Sequence, residues 1–359
     1  MKFALLLFLV LACSLPLKAQ NKDLAAIAQV LTDDQILSPL TYLASDRLKG
    51  RHTGLPEIDT AAAYIAGKFL AAGAKPVPGD SGFYQVFSHQ FSYRERNVMD
   101  KQIASNMPFS TRHGIVLKNV VGFVQGTDPR LRSQYIILSA HYDHAGIADS
   151  PILENGKMDS IFNGARDNAT GTAAVIAAAI YFARFPPKRS VLFICYTAEE
   201  EGEIGSKYYA DHPLIPLNQT VYNLNIDNAG YDTTQAVCLF GLGRTNADSL
   251  IQKACRGYGL GVLPEPEGQD LFRRSDNYPL AEKGIPAPCY SMGIKEWDQA
   301  VKEHYHRMSD EVENMDLAYV VKFIRAYILS AKYIADDNEQ PKWTKDDPFE
   351  KDWKTLFGG

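Results

Sequence analysis

The chain has 359 residues, of which 46% are hydrophobic and 22% charged, with a formal net charge of −5 and a pI near 5.9. That composition excludes wholesale disorder and offers none of the basic excess of a nucleic-acid-binding chain. It suits one large domain or two small ones.

The first segment is a targeting signal by pattern. Lys2 supplies a positive charge, Phe3 to Ala12 is unbroken apolar sequence, Pro16 interrupts it, and Leu17-Lys18-Ala19 precedes Gln20. This reads as a secretory signal over residues 1–19, which implies a secreted or periplasmic protein. The run is too short for a membrane span, which needs about 20 residues. A lipid anchor at Cys13 is the alternative reading of Val10-Leu11-Ala12-Cys13. An oxidising compartment permits disulfides, and sequence cannot choose a pairing among Cys195, Cys238, Cys255 and Cys289. Three of them lie in apolar, strand-like runs, so isolated buried thiols are expected.

Asp33 to Ala44 reads as a short helix capped by Asp33 or Asp34. Gly50 to Gly54 is a loop. Pro56 to Ala72 reads as a helix begun near its proline and stopped by Gly73. Residues 84–91 and 114–124 alternate apolar and polar residues, as half-buried strands do. From Gln134 the pattern becomes that of a buried core. Tyr135 to Ala140 is an apolar strand ending in His141. Asn168 to Phe185 is an alanine-rich helix stopped by Pro186-Pro187. Ser190 to Tyr196 and Val221 to Ile226 are buried strands, Ala236 to Leu239 and Pro286 to Met292 shorter ones. Helices are expected at Gly205–Asp211, Asn246–Arg256 and Asp316–Tyr333. Such alternation predicts an α/β three-layer sandwich: a mixed central sheet with a parallel core, flanked by helices. Residues 20–335 form the expected domain. Residues 336–359 are a charged extension whose Trp343, Trp353 and Phe357 predict docking.

Polar residues gather where the apolar strands stop. His141, Glu199-Glu200 and Asp227 all follow such strands, at the sheet edge where α/β proteins build their sites. His141 and Asp143, two apart on extended chain, point the same way, so a carboxylate could orient the imidazole toward a metal. Asp167 precedes the alanine-rich helix, where helix capping is the competing explanation; the small residues around it leave room for a ligand. In Glu199-Glu200-Glu201, neighbouring side chains diverge, so one can bind metal while the next faces substrate as a base. His304-Tyr305-His306 lies in a loop before the last helix. Two histidines with three carboxylates fit two zinc ions sharing one carboxylate, and the absence of cysteine from the set favours an open, catalytic site.

With these segments assembled, the chain resembles the co-catalytic dizinc aminopeptidases of the bacterial leucyl aminopeptidase type, whose relatives include aminopeptidase Y, glutamate carboxypeptidase and the glutaminyl cyclases. The resemblance runs from about Leu43 to about Tyr333. It rests on Leu43 to Arg51, Asn119 to Gly122, His141-Tyr142-Asp143, Gly164 to Gly171, Ala198 to Gly202 with Gly205-Ser206, Asn225-Ile226-Asp227, Arg274-Ser275-Asp276, Gly284 to Ala287, and Tyr305-His306 with Asp310. It implies one metal on His141, Asp227 and a bridging Asp167, and a second on Glu200, His306 and the same Asp167. It further implies a cis Asp167-Asn168 bond, Glu199 as general base, and Tyr305 as stabiliser of the oxyanion. Peptides with free amino termini are the expected substrates, an apolar first residue the expected preference. Glu203 stands where the family usually has leucine, and Asn228 where it often has methionine. A carboxypeptidase holding a terminal carboxylate on Arg273 and Arg274 is one alternative, although Arg274 already belongs to the general motif; a glutaminyl cyclase on the same fold and a non-enzymatic, receptor-like relative are the other two. Tyr305 in place of the cyclases' tryptophan, and a complete ligand set, speak against the latter two in turn.

Overall fold

The apolar runs become neighbouring strands of one sheet. The computed structural model describes residues 22–90, 114–154 and 156–358. The signal segment, Cys13 and the last residue of the 84–91 strand lie outside the described residues.

The chain opens with a helix at residues 22–30 (α1), then α2 (Asp33–Leu43), a 3-10 turn at Asp46–Arg51 and α3 (Pro56–Ala72). Thr32, not Asp33 or Asp34, caps α2: its side chain accepts the Gln35 N–H at 3.3 Å. Gly73 ends α3 with φ 92°, the left-handed backbone that glycine adopts without a Cβ clash. Strands β1 (Tyr84–His89), β2 (Ile115–Val124) and β3 (Tyr135–His141) follow, then a hairpin of β4 (Gly146–Glu154) and β5 (Lys157–Phe162). Next come α4 (Gly171–Arg184), β6 (Ser190–Tyr196), α5 (Ile204–Asp211), β7 (Thr220–Ile226), β8 (Ala236–Phe240), α6 (Asp248–Gly257) and β9 (Gly261–Leu263). The last elements are α7 (Tyr278–Glu282), β10 (Cys289–Met292), α8 (Gln299–Lys302), α9 (Leu317–Asp336) and α10 (Glu350–Phe357).

The eight-stranded sheet runs β1-β2-β6-β3-β7-β10-β8-β9. Its centre, β6-β3-β7-β10, is parallel; β1, β2 and β8 join antiparallel. Alternation sorts the side chains of each strand between two cores. Ile136, Leu138, Phe193, Leu224 and Tyr290 enter a core shared with α1, α2, α3, α4 and α9. Ile137, Leu192, Ile194, Cys238 and Cys289 enter the opposite core with α5 and α7. Both faces of the sheet are therefore covered, as a parallel centre requires.

Beneath the site, the second face carries a polar strip. Ser139 Oγ lies 2.9 and 2.8 Å from the amide oxygens of Asn223 and Asn225, and Asn225 Nδ2 donates to Ser275 Oγ at 2.8 Å. This strip carries the order of β3 and β7 outward to the 274–277 loop.

Residues beyond 336 pack on the second core. Trp343 is buried and donates to Gly284 O at 3.1 Å. The Arg244 guanidinium sits 4.2 Å from the Phe272 ring centroid and 5.1 Å from that of Trp343, and pairs with Asp347 at 2.8 Å. The four cysteines at 195, 238, 255 and 289 are free and buried. Among the described residues, no helix is long and apolar enough to cross a membrane.

Candidate metal centre and substrate pocket

Each polar side chain is delivered by a segment that has little freedom to move. His141 closes β3, and its carbonyl accepts the Thr172 hydroxyl of α4 at 2.8 Å. After β6 the chain makes a tight turn over 197–203, with Ala198 at φ 57°. Asn119 of β2 pins both ends: it accepts from Thr197 N at 3.2 Å and donates to Gly205 O at 2.9 Å. Gly205 is required there, since a Cβ would fall 2.3 Å from Thr197 O. Asp227 follows β7 directly, its N–H bonded to Tyr290 O of β10 at 3.1 Å.

Asp167 lies in a wide helical turn, Ala165–Thr170, whose own backbone at Asp167 and Asn168 is not helical. The Asp167-Asn168 peptide is cis. The α4 helix therefore starts at Gly171, not at Asn168 as its composition suggested. Asp310 fixes the turn by accepting from the N–H groups of Arg166 at 3.0 Å and Asp167 at 3.1 Å, and from Arg166 Nη1 at 2.9 Å. Asn168 Nδ2 donates to Ile226 O at 2.8 Å, and Asn228 Nδ2 donates to Asn168 Oδ1 at 3.1 Å. Asn228 is thus a structural partner of the turn. His306 comes from the loop after α8 and holds a left-handed φ of 53°.

The arrangement falls into two trios around one carboxylate. Asp167 Oδ1 is 3.2 Å from His141 Nε2, and Asp227 Oδ1 is 3.2 Å from the same nitrogen. Asp167 Oδ2 is 3.1 Å from His306 Nε2, and Glu200 Oε2 is 3.5 Å from that nitrogen. Ligand atoms of His141, Asp167 and Glu200 all lie within 4.8 Å of one another. Donors about 2.0–2.1 Å from a tetrahedral zinc are roughly 3.3 Å apart, and the four histidine–carboxylate distances, 3.2, 3.2, 3.1 and 3.5 Å, have that spacing. Glu199 belongs to neither trio; Glu199 Oε2 is 4.0 Å from His141 Nε2.

The electrostatics are those of an acidic cluster around two imidazoles. Burial opposes protonation of His141, yet Glu199, Asp227 and Asp167 outweigh it and hold the imidazole well above its ordinary value. His306 is pushed up to about 9, its burial overcome by Glu200 and Asp167. Asp167 is held well below the usual range: its two histidine partners overcome its burial. Burial, with Asp227 and Glu200, pushes Glu199 well up despite His141. Divalent metals would neutralise the carboxylates of both trios.

A further ring of residues orients the set. His144 Nδ1 is 2.7 Å from Glu200 Oε1, leaving Oε2 toward His306. The expected orienting role of the Asp143 side chain is not what the geometry gives. His141 Nδ1 is 3.3 Å from Asp143 main-chain O but 3.8 Å from its carboxylate, whose other oxygen accepts from Glu200 N–H at 3.1 Å. Arg51, fully buried, donates to four carbonyls: Tyr142, Leu43, Asn163 and Gly164, at 2.8, 2.5, 2.7 and 3.1 Å.

All of Glu199, Tyr305, His141, Asp167, Glu200, Asp227 and His306 converge here. All but buried His141 line a pocket of about 240 Å³, together with Gly202, Glu203, Ala229, Phe240, Leu271 and Arg274. Tyr305 stacks on His306 at 4.0 Å, and Arg274 Nη2 donates to its hydroxyl at 3.4 Å. Sequence reasoning missed His144 and the tethering by Arg51 and Asp310. A second histidine three residues after His141 was the available signal for the first; the other two act on main-chain groups distant in sequence.

The model of peptidase family M28 matches residues 119–330, a span holding every ligand candidate. Aminopeptidase YwaD of Bacillus subtilis is 25% identical over 203 residues, 55% of this chain and 40% of that protein. Leupeptin-inactivating enzyme 1 of Streptomyces exfoliatus is 29% identical over 191 residues, 48% of this chain and 42% of that protein. The chain spans less than half the length of these curated relatives. The solved aminopeptidase from Aneurinibacillus sp. strain AM-1 superposes with a TM-score of 0.61 at 15% identity, covering 88% of this chain and 97% of that one. A glutaminyl cyclase from Porphyromonas gingivalis superposes with a TM-score of 0.59 at 13% identity, covering 84% and 98%. At such identities the likeness is one of fold, and this fold is shared by proteins of both descriptions.

Proposed function

The chain belongs to peptidase family M28, and on that premise we propose that it is a zinc-dependent aminopeptidase, exported by the segment at 1–19, whose catalytic domain is residues 20–335. One observation carries the reading: the two oxygens of Asp167 address two different trios, while Glu199 faces the pocket outside both.

His141, Asp227 and Asp167 would hold one zinc; Glu200, His306 and the same Asp167 the other. Zinc, when bound, supplies a Lewis acid and lowers the pKa of water, making it a nucleophile toward a peptide carbonyl. Glu199 takes the proton from the attacking water and passes it to the leaving amine. Burial keeps the Tyr305 phenol protonated, its pKa raised well above the ordinary value. Its hydroxyl therefore donates to the developing oxyanion, aided by the Arg274 guanidinium against the ring oxygen. The substrate's free amino group is held by the acidic end of the pocket, which restricts the reaction to the first residue.

The deciding experiment is mass spectrometry of Leu-initiated and Gln-initiated peptides after incubation with purified, zinc-loaded protein. Shortening by one residue is expected, abolished by chelators and by amino-terminal acetylation. Loss of ammonia from the Gln-initiated peptide without shortening of the other would make the protein a cyclase.

A further inference from the structure

The turn that carries Glu199, Glu200 and Glu201 ends in a fourth acid, Glu203, with no place in that chemistry. Glu203 has φ 61° and ψ 33°, backbone that residues with a Cβ rarely adopt. The turn closes on it, since Glu203 N–H bonds to Glu199 O at 2.8 Å. Its side chain is only 13% exposed and lines the same pocket as Glu199 and Asp227. Its ion-pair partner is Lys207, at 3.5 Å. That ammonium is also bonded to Gly202 O at 2.8 Å and is about half exposed. The ammonium is the more exposed of the pair, while Glu203 lines the pocket.

Three apolar side chains, Ala229, Phe240 and Leu271, line the same cavity as Glu203. An aliphatic stem against such walls, ending in a cation at a half-desolvated carboxylate, is how lysine and arginine side chains bury. The pocket's guanidinium, Arg274, is bonded to the Tyr305 hydroxyl and serves the reacting end. We propose that Glu203 selects substrates whose first residue carries a basic side chain, lysine or arginine. This rests on the aminopeptidase reading, and it replaces the apolar preference expected from sequence.

Two measurements on the zinc-loaded full chain separate this proposal from the reading beneath it. In the first, kcat/KM is compared for lysyl, arginyl, leucyl and glutamyl chromogenic substrates in the wild type, Glu203→Gln and Glu203→Leu. The basic substrates should exceed leucyl by on the order of tenfold in the wild type, and Glu203→Leu should invert that ratio. Glu203→Gln keeps shape and turn while losing charge, so it should lower the Lys-to-Leu ratio without the misfolding a larger change risks. In the second, calorimetry measures lysinamide and leucinamide binding, which needs no turnover. Tighter lysinamide binding, lost in Glu203→Gln, supports the proposal even if no substrate is hydrolysed, in which case only the aminopeptidase reading falls. Hydrolysis that favours leucyl or glutamyl substrates, or equal affinity for the two amides, overturns the role of Glu203 and leaves the aminopeptidase reading intact.

Discussion

The two halves of the site are built differently. His141 and Asp227 stand at the ends of neighbouring parallel strands, with His141 almost fully buried and paired with Tyr196 of β6. Glu200 and His306 come from a turn and a loop; the His306 side chain is 32% exposed, and its backbone is left-handed. The first half inherits its precision from the sheet. The second is held by side-chain bonds: His144 on Glu200, and Asp310 on the turn bearing the shared Asp167. Where regular structure does not fix a ligand, buried polar contacts must; removing the His144 contact should loosen one half and spare the other, while removing Asp310 should disturb the carboxylate that both share.

The largest expected effect concerns the residue outside both halves. Glu199→Gln should lower turnover at least on the order of a hundredfold, while metal analysis still finds two zinc ions. Loss of an ion would instead make Glu199 a ligand. Asp167→Asn comes next and should erase the difference between the halves, because both use this carboxylate; equilibrium dialysis should show both sites weakened together. Two full-occupancy ions in that variant would remove the bridging role.

His306→Ala and His141→Ala should each lose one ion. Stepwise chelation of the wild type should empty the Glu200–His306 half first, since it is the more exposed. Reversed order, followed by metal content in the two variants, would mean that the sheet does not confer the tighter site. His144→Ala should weaken zinc in that same half by about 10–100-fold, with partial rescue by His144→Asn, whose amide nitrogen can replace Nδ1. An equal effect on both halves would make His144 a general packing residue.

The smallest effect lies beneath the sheet-borne half. Ser139→Ala removes a hydroxyl between two buried asparagines and should cost about 1–3 kcal/mol of stability, read from denaturant midpoints. Unchanged stability would show that the asparagines satisfy each other without it.

Strand-borne residues were legible because an unbroken apolar run ending in a histidine or acid marks both the strand and its functional end. Tyr135 to His141 and Val221 to Asp227 follow that rule. The hairpin Gly146–Phe162 does not. Its cross-strand pair Leu153 and Met158 is exposed, and Pro151 and Asn155 break any period-2 pattern. The start of α4 was misread because alanine-rich composition continues through Ala165–Thr170 while the backbone departs from helix to present Asp167. The short strand β9 and the helix α10 carry too few apolar residues to announce themselves. Asp310 was seen as part of a motif, but its task is to bind main-chain N–H groups more than 140 residues away in sequence, which no local pattern encodes.

Arg51 bears on the order of events during folding. Its guanidinium spans Leu43 near the start of the chain, Tyr142 after β3, and Asn163 and Gly164 before Asp167. Burial lowers its pKa only to about 10, so it keeps its charge while tied to carbonyls. The parallel centre of the sheet, β6-β3-β7-β10, with α4 and α9, is drawn wholly from residue 135 onward, but the walls of the site cannot close until the amino-terminal segment returns to them. Closing so long a loop costs chain entropy before the contacts offset it, and a chain in which these four carbonyls were not yet gathered would have no walls around a metal.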